Sequence, residues 1–169
     1  MLLFHTADLS VVSITDNDIP TLLEVYEQSE DFLALGPVAK ASTQMVLEDI
    51  EGSRARHGQF CAITNNEGVT IGVLDFIPDS GEAKGSCYLS LLMIAAPWRN
   101  KGYGRAIVAA LEAHQQSTAG TTHMDAAVQT NNGDAIQFWK KQGYTLSDES
   151  QQQSDGTITY ELTKVLPGI

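Results

Sequence analysis

Apolar residues recur at the spacing of an α-helix in four segments of the chain, each with its own start or stop signal. The first segment begins after Asn17, a candidate cap. The second is capped by Ser42 and is expected to end near Gly52. The third covers residues 102–117, and the fourth is closed by Gly143. The pattern therefore predicts four amphipathic helices that each turn one apolar face to a core.

Between these helices, runs of β-branched and apolar residues predict strands. The run 88–94 is apolar almost throughout, which indicates burial on both faces and a central place in a sheet. The run 157–163 alternates apolar with polar residues, as a half-exposed antiparallel strand does. The other predicted strands are residues 9–14, 60–64, 69–77 and 124–128 and the vicinity of Tyr144.

Turn signals and the order of the elements indicate how the strands connect. Asn65-Asn66-Glu67-Gly68 and Asp155-Gly156 predict two hairpin turns. The order strand, helix, strand across residues 88–128 predicts a right-handed crossover between two strands of one sheet. Together these signals predict a mixed α/β sheet.

Chain length and composition bound this prediction. The 169 residues suit one domain, so we expect a single domain over residues 1–169. No segment approaches the roughly 18 consecutive apolar residues of a membrane span, and the residues after Met1 lack the basic leader of a secretory signal. Cys61 and Cys87 lie far apart, without metal or redox spacing, and are expected to be reduced thiols. We therefore expect a cytoplasmic protein without a metal site or a membrane partner.

The charge balance of the chain is strongly acidic. With 21 Asp and Glu residues against 10 Lys and Arg residues, the formal net charge is -11. Such a surface repels polyanions, so nucleic acid is not an expected partner. The same field would concentrate cations such as amines, although acidity that serves only solubility explains the charge as well. Charge alone selects no substrate.

A glycine-bearing turn of residues 97–105 connects the predicted central strand to the third helix. Gly102 would let an anion approach the free N–H groups at the helix start. Three of the ten cations crowd this end, where a helix dipole disfavours positive charge unless an anion offsets it; they are Arg99, Lys101 and Arg105. We expect a pyrophosphate at this turn, with an ordinary glycine connection and solvated basic residues as the alternative.

Two common phosphate motifs do not fit the turn, but a third does. A dinucleotide fingerprint needs a glycine where Ile107 stands, and the chain has no Gly-x-x-x-x-Gly-Lys-Ser/Thr run. The turn resembles the Arg/Gln-x-x-Gly-x-Gly/Ala coenzyme A signature of the Gcn5-related N-acetyltransferase (GNAT) family, carried here by Arg99-Asn100-Lys101-Gly102-Tyr103-Gly104. The stretch 132–144 resembles the family's later Asn-x-x-Ala helix ending in Gly-Phe/Tyr. Taken alone, Asn132 is most simply a helix cap.

The resemblance implies a fold, an activity and a set of binding residues. The fold would be α/β (α+β), one GNAT-like domain with a mixed, mostly antiparallel central sheet of about six to seven strands, flanking helices and a splayed parallel strand pair. The activity would be N-acetyl transfer with acetyl-CoA as cosubstrate, and the backbone N–H of Ile94 would stabilise negative charge on the acetyl oxygen. The implied cofactor-binding residues are Leu92, Met93, Ile94, Arg99, Asn100, Lys101, Gly102, Tyr103, Gly104, Arg105, Asn132 and Trp139.

Acetyl transfer also needs a base, since an aliphatic amine with a pKa of about 10.4 is protonated at neutral pH. Many relatives place a carboxylate on or beside the central strand, but residues 85–96 contain none. The candidates are Asp75, Glu82 and Asp125, each of which could equally be a solvated carboxylate. Trp139 stands where the family commonly has an acid tyrosine, and an indole donates no usable proton. We expect an unassisted thiolate, with Tyr144 or Tyr103 as the alternative acid.

The expected function is direct acetyl transfer to a primary amine of a small molecule or a peptide, in a ternary complex. Two alternatives stay open: a catalytically silent acyl-CoA binding or sensor module, and a nucleotide-binding regulator that uses the same turn. Acidic residues of the variable segments would suit a cationic acceptor; they are Glu27, Glu30, Asp31 and the 79–82 loop. The protein is expected to be a monomer or a homodimer.

Overall fold

Nine strands form one sheet in the part of the chain that the computed structural model describes, residues 1–80 and 84–168. Their bounds are β1 (Leu2–His5), β2 (Leu9–Ser13), β3 (Gln59–Asn65), β4 (Thr70–Pro78), β5 (Ser86–Ile94), β6 (His123–Gln129), β7 (Thr145–Leu146), β8 (Gln151–Gln152) and β9 (Ile158–Val165). Across the sheet they follow the order β1-β2-β3-β4-β5-β6-β9-β7, and β8 also pairs with β9. All of these pairs are antiparallel except β5 and β6, which are parallel.

Five α-helices accompany the sheet within the described residues. Their bounds are α1 (Ile19–Glu27), α2 (Glu30–Leu33), α3 (Thr43–Ala55), α4 (Tyr103–Ala119) and α5 (Gly133–Lys141). The four predicted helices are confirmed as α1, α3, α4 and α5. Among the described helices, none has the length and apolar character needed to cross a membrane.

Two predicted helix boundaries are wrong. The chain enters α1 through a capping box, in which the Asp18 carboxylate accepts the backbone N–H of Thr15 at 2.7 Å, and Asn17 is not the cap. α3 continues through Gly52 to Ala55. Glycine costs a helix only about 1 kcal/mol relative to alanine, and the next residue, Ser53, is buried and hydrogen-bonded to the sheet. That contact holds the last turn of α3 in place.

The predicted mixed, mostly antiparallel sheet is confirmed, with nine strands where six to seven were expected. β7 and β8 have two residues each, too few to leave a pattern in the sequence. The alternation expected along β9 holds at Leu162, which is buried, but Ile158 is 47% exposed and Thr159 is buried. Thr159 is covered because Gln153 donates its side-chain N–H to the threonine hydroxyl at 2.9 Å.

The apolar core lies on both faces of the sheet. On one face, α4 and α5 pack through Ile107, Leu111 and Trp139. On the other face, α1 and α3 pack through Leu22 and Val46. Both layers of helices therefore rest on the same central strands, as expected for a strand that is apolar on both sides.

β5 and β6 are paired along only part of their length. Their register runs from Ser86 opposite His123 to Leu89 opposite Ala126, and no pairing follows although both strands continue. At the same point the register between β4 and β5 shifts, so that Ser90 is an extra residue in β5 and forms a bulge. The expected splayed parallel pair is confirmed.

Candidate active site

The diverging halves of β5 and β6 open a cleft of about 1030 Å³ between them. Residues 89–94 line one wall, and residues 127–129 line the opposite wall. The start of α4 and one face of α5 border one mouth, while α2 and Trp98 border the other. Since α4 and α5 pack on one face of the sheet and α2 lies against the core of the other, the cleft passes through the sheet, and Trp98 packs against both cores.

The second half of β5 turns main-chain groups into the cleft. Ala95 donates its N–H to the carbonyl of Ile71 at 2.9 Å, so in the antiparallel register Met93 also bonds to β4. The main-chain groups of Leu92 and Ile94 therefore point the other way, toward the space that β6 has left. They form a short strand edge that could bind an extended ligand containing amides.

The start of α4 differs from the starts of two other helices. Ser42 caps α3 and Asn132 caps α5, each by accepting a backbone N–H through its side chain. The cap of α4 is Gly102, which has φ of 79° and no side chain to accept a hydrogen bond. A Cβ built on Gly102 would meet no atom within 4 Å, so the space over the helix start is open. The first N–H groups of α4 are therefore available to an anion.

Arg99 makes three hydrogen bonds within the protein. Its Nε donates to the carbonyl of Ile94 at 2.8 Å, and both of its Nη atoms donate to the carboxylate of Asp31 at the start of α2. The Arg99 guanidinium holds the pKa of the Asp31 carboxyl below its usual value. This bidentate pair connects α2 to the turn that follows β5 and fixes the end of that strand.

The other residues of the glycine turn differ in how close they lie to the cleft. Lys101 is exposed at the surface beside it and does not line it. Arg105 is also exposed but borders the cleft. The other turn residues that line the cleft are Trp98, Arg99, Asn100, Gly102, Tyr103 and Gly104. Two cations thus lie within reach of the uncapped helix start, while Arg99 is engaged elsewhere.

The aromatic residues near the cleft have different surroundings. Trp139 lines the cleft and packs edge-on against Tyr144 and Phe138. Tyr144 does not line the cleft, since its hydroxyl donates to the Glu112 carboxylate at 3.0 Å. Burial, reinforced by the charge of Glu112, raises the pKa of Tyr144. Of the two tyrosines considered as acids, Tyr103 alone borders the cleft.

Asp75 lies on β4 directly beside the bulge and is only 3% exposed. One of its oxygens accepts a hydrogen bond from the Ser53 hydroxyl at 2.5 Å, and the other lies 3.7 Å from the Arg56 guanidinium. Arg56 also donates to the Ser90 hydroxyl at 3.0 Å, so one guanidinium lies against both Ser90 and Asp75. Burial raises the pKa of Asp75, although the hydrogen bond from Ser53 and the nearby hydroxyl of Ser90 act in the opposite direction. Because Ser90 lines the cleft, one hydroxyl connects Asp75 with it.

The other two base candidates are not part of this arrangement. Asp125 lies opposite Tyr88 in the paired half of β5 and β6 and does not line the cleft. Glu82 lies outside the described residues. Across residues 1–80 and 84–168, no group of three or more His, Cys, Asp and Glu side chains is arranged to hold a metal ion.

The sequence is also matched by a family model. The model, described as the acetyltransferase (GNAT) family, matches residues 22–144, which include most of the chain, both motifs and the cleft walls. The chain belongs to the GNAT family. This GNAT protein is therefore an N-acetyltransferase whose acetyl donor is acetyl-CoA, as the resemblance implied.

Solved structures share the fold of this GNAT chain over nearly its whole length. RimL, a ribosomal L7/L12 alpha-N-protein acetyltransferase solved with coenzyme A, is 13% identical, with a TM-score of 0.77 over 98% of each chain. An acetyltransferase from Thermus thermophilus is 23% identical, with a TM-score of 0.74 over 96% of this chain and 99% of its own. Spermidine N-acetyltransferase from Vibrio cholerae, solved with coenzyme A and spermine, is 11% identical, with a TM-score of 0.74 over 95% and 96%. No curated protein sequence matches the chain.

Sequence reasoning missed three residues that surround Asp75. Ser90 had a visible signal, because it is the one clearly polar side chain inside the apolar run of β5. Ser53 and Arg56 had none, since they belong to the end of α3 and approach Asp75 only in the folded protein. The base candidate was thus found from the sequence, but its link to the cleft was not.

Proposed function

We propose that this protein transfers the acetyl group directly from acetyl-CoA to a primary amine of a small molecule or a peptide, in a ternary complex within the cleft. The observation that carries the proposal is a cleft through the sheet that starts beside an uncapped helix. Two substrates can reach one point from opposite mouths of such a cleft, which places the amine and the thioester close together. Bound acetyl-CoA supplies an activated acyl group.

The uncapped start of α4 is proposed to hold the pyrophosphate of acetyl-CoA. Its free N–H groups and the open space over Gly102 suit an anion, and Lys101 and Arg105 add positive charge nearby. Asn132 lines the same cleft; its side-chain oxygen caps α5, so the amide N–H₂ is left as a donor. The pocket residues present are thus of the kind that a nucleotide diphosphate needs.

The open half of β5 is proposed to hold the pantetheine arm and the acetyl group. Leu92 presents its main-chain groups to the pantetheine amides, while Met93 contributes to the wall with its backbone bonded to β4. The N–H of Ile94 would donate to the acetyl oxygen, where negative charge develops during attack. Arg99, bonded to the Ile94 carbonyl, keeps this end of the strand in position.

Asp75 is proposed as the base, acting through Ser90. The Ser90 hydroxyl accepts a proton from the attacking amine and passes its own proton to Asp75, while Arg56 orients that hydroxyl. The raised pKa of Asp75 brings this carboxyl closer to neutral pH, where a general base is most effective. The new N–C bond forms as the C–S bond breaks, and Trp139 packs beside the departing thiolate without giving it a proton.

The first experiment is a calorimetric titration of acetyl-CoA into the wild type and into Gly102→Asp and Gly102→Asn. Asn and Asp both tolerate positive φ and have the same size, so they differ in charge alone. Gly102→Asn should bind within about tenfold of the wild type, whereas Gly102→Asp should bind about a hundredfold more weakly, since its carboxylate repels the pyrophosphate.

Thiol release in the presence of a panel of primary amines then tests the transfer itself. Failure of the wild type to bind acetyl-CoA would contradict the proposed cofactor site. Binding without acetylation of any amine would instead identify an acyl-CoA binding module.

A further inference from the structure

The mouth of the cleft opposite α4 and α5 has an apolar wall. Phe32 and Leu35 come from α2 and the segment after it, and Trp98 comes from the turn after β5. All three are half-buried, and Phe32 and Trp98 also pack against the core formed with α1 and α3. If acetyl-CoA occupies the α4 side, the acceptor amine must enter along this wall.

The carboxylates near this mouth are engaged by the protein. Asp31 is the one carboxylate lining this mouth among the described residues, and both of its oxygens accept hydrogen bonds from Arg99. Glu30, next to it, accepts from the Ala41 backbone at 3.2 Å and from Lys40. The second carboxylate lining the described cleft, Asp134, lies in the first turn of α5, on the side of the cofactor.

An adjoining groove extends this mouth and carries one exposed carboxylate at its far end. It is lined by Leu35, Pro37 and the β8–β9 turn, and its volume is about 390 Å³. The carboxylate in that turn, Asp155, accepts hydrogen bonds from the backbone and the hydroxyl of Thr157 at 2.9 and 2.6 Å. Glu27, another acidic residue of this region, does not line the cleft or the groove.

We propose that the acceptor is an amine whose attached body is apolar and carries no second positive charge, and that this body lies against Phe32, Leu35 and Trp98. This inference rests on the proposed function, because it assigns the α4 side of the cleft to acetyl-CoA. An apolar body gains from removing its own surface and that of the wall from water. A second ammonium in the same place would lose water without gaining a carboxylate partner, which is unfavourable.

The acidic net charge of the protein does not oppose this assignment. A net charge of -11 raises the local concentration of any cation, and a monoamine and a diamine both benefit. Recognition depends on the groups that the bound amine touches. At this mouth those groups are two aromatic rings and an aliphatic side chain, with the neighbouring carboxylate Asp31 already neutralised by Arg99.

The test compares hexylamine with 1,6-diaminohexane, which have the same chain length and differ by one ammonium group. Thiol release at saturating acetyl-CoA gives kcat/KM for each amine, with the diamine value halved for its two equivalent ends. Hexylamine should be favoured by about tenfold or more, because the second charge finds no partner. A higher kcat/KM for the diamine would overturn the proposal.

A pair of variants at Phe32 sharpens the test. Phe32→Glu places a free carboxylate in the wall and should reduce the preference for hexylamine by about tenfold, or reverse it. Phe32→Leu keeps the wall apolar and should keep the preference of the wild type. An unchanged amine preference in Phe32→Glu, with acetyl-CoA binding intact, would show that the acceptor does not touch this wall.

Binding separates the failure of this inference from failure of the proposed function. Both amines are titrated calorimetrically into the complex with coenzyme A. If neither amine is acetylated but hexylamine binds more tightly than the diamine, the proposed acceptor recognition is correct and the proposed transfer reaction is wrong. If hexylamine binds no better than the diamine and is acetylated no faster, the assignment of an apolar acceptor is wrong.

Discussion

The two halves of β5 are similar in sequence and different in their surroundings. Residues 86–89 pair with β6, and Leu89, where the cleft begins, is only 3% exposed and packs in the core. Residues 91–94 face the cleft, where Leu92 and Ile94 are only half-buried. Both halves are apolar, but one is covered by a strand and the other faces an open cleft. An apolar run in the sequence therefore predicts that a strand is central, but it does not show whether a neighbouring strand covers the whole of it.

Ser90 marks the boundary between these halves. The bulge at this residue ends the regular register with β4 at the point where pairing with β6 also ends. It places a polar side chain beside the cleft and next to Asp75. The same irregularity thus opens the strand edge and positions the proposed proton route, as bulges near active sites commonly do.

Truncating one leucine in each half of β5 should give the largest difference in stability and in acetyl-CoA binding. Leu89→Ala should lower the free energy of unfolding by about 2–5 kcal/mol, the usual range for a buried leucine. Leu92→Ala should cost roughly half as much, because its side chain is only half-buried, and should weaken acetyl-CoA binding several-fold. Urea unfolding and calorimetric titration of both variants measure this. Equal losses of stability without a binding defect would show that the open half serves as core alone.

Replacing the aspartate beside each half of β5 should affect kcat differently. Asp75→Asn, beside the open half, should lower kcat by about a hundredfold, because the proton from the amine loses its acceptor. Asp125→Asn, opposite the paired half, should leave kcat within about twofold of the wild type. Steady-state kinetics at saturating acetyl-CoA measure both variants. A larger fall in kcat for Asp125→Asn than for Asp75→Asn would identify Asp125 as the base.

The pH dependence of the Asp75→Asn variant follows from the raised pKa of Asp75. Below the unfolded-state pKa, the protonated carboxyl contributes its full stability, and this contribution is lost as pH rises through the folded-state pKa. The wild type should therefore lose stability relative to Asp75→Asn between acidic and neutral pH. Urea midpoints across that range measure the difference. Asp49→Asn is measured beside it, because burial also raises the pKa of nearby Asp49 and that carboxyl contributes to the same trend. The rate should show the opposite trend, rising with pH in the wild type as Asp75 ionises.

Removing the Tyr144 hydroxyl should have the smallest effect on catalysis. Tyr144→Phe leaves the Glu112 carboxylate with one donor fewer, Lys164 remaining at 2.8 Å, and should cost about 1–3 kcal/mol of stability. Its kcat should stay within about twofold of the wild type, since this hydroxyl does not reach the cleft. Thermal unfolding and thiol release measure the two quantities. A hundredfold fall in kcat would identify Tyr144 as the acid after all.

Much of the fold and one wall of the site could be predicted from local patterns. The glycine turn, the cap at Asn132 and the central apolar strand depend on neighbours within a few residues, and each lies where it was predicted. β1 and α2 were not predicted, because four residues are too few to show a period. Arg99 is the first residue of the glycine-turn motif, but its partner Asp31 is distant in the sequence, so their pairing could not be predicted from local patterns.

By itself, the sequence determined the order of the elements, the uncapped glycine start of α4 and the family, because these are properties of short segments read in sequence. The tertiary structure decided which half of β5 is open and which base candidate lies beside the bulge at Ser90. It also brought Arg99 to Asp31, so this carboxylate at the mouth of the cleft is paired with a cation. Each of these depends on contacts between residues distant in the chain, since burial, pairing and charge neutralisation follow from what folding brings together.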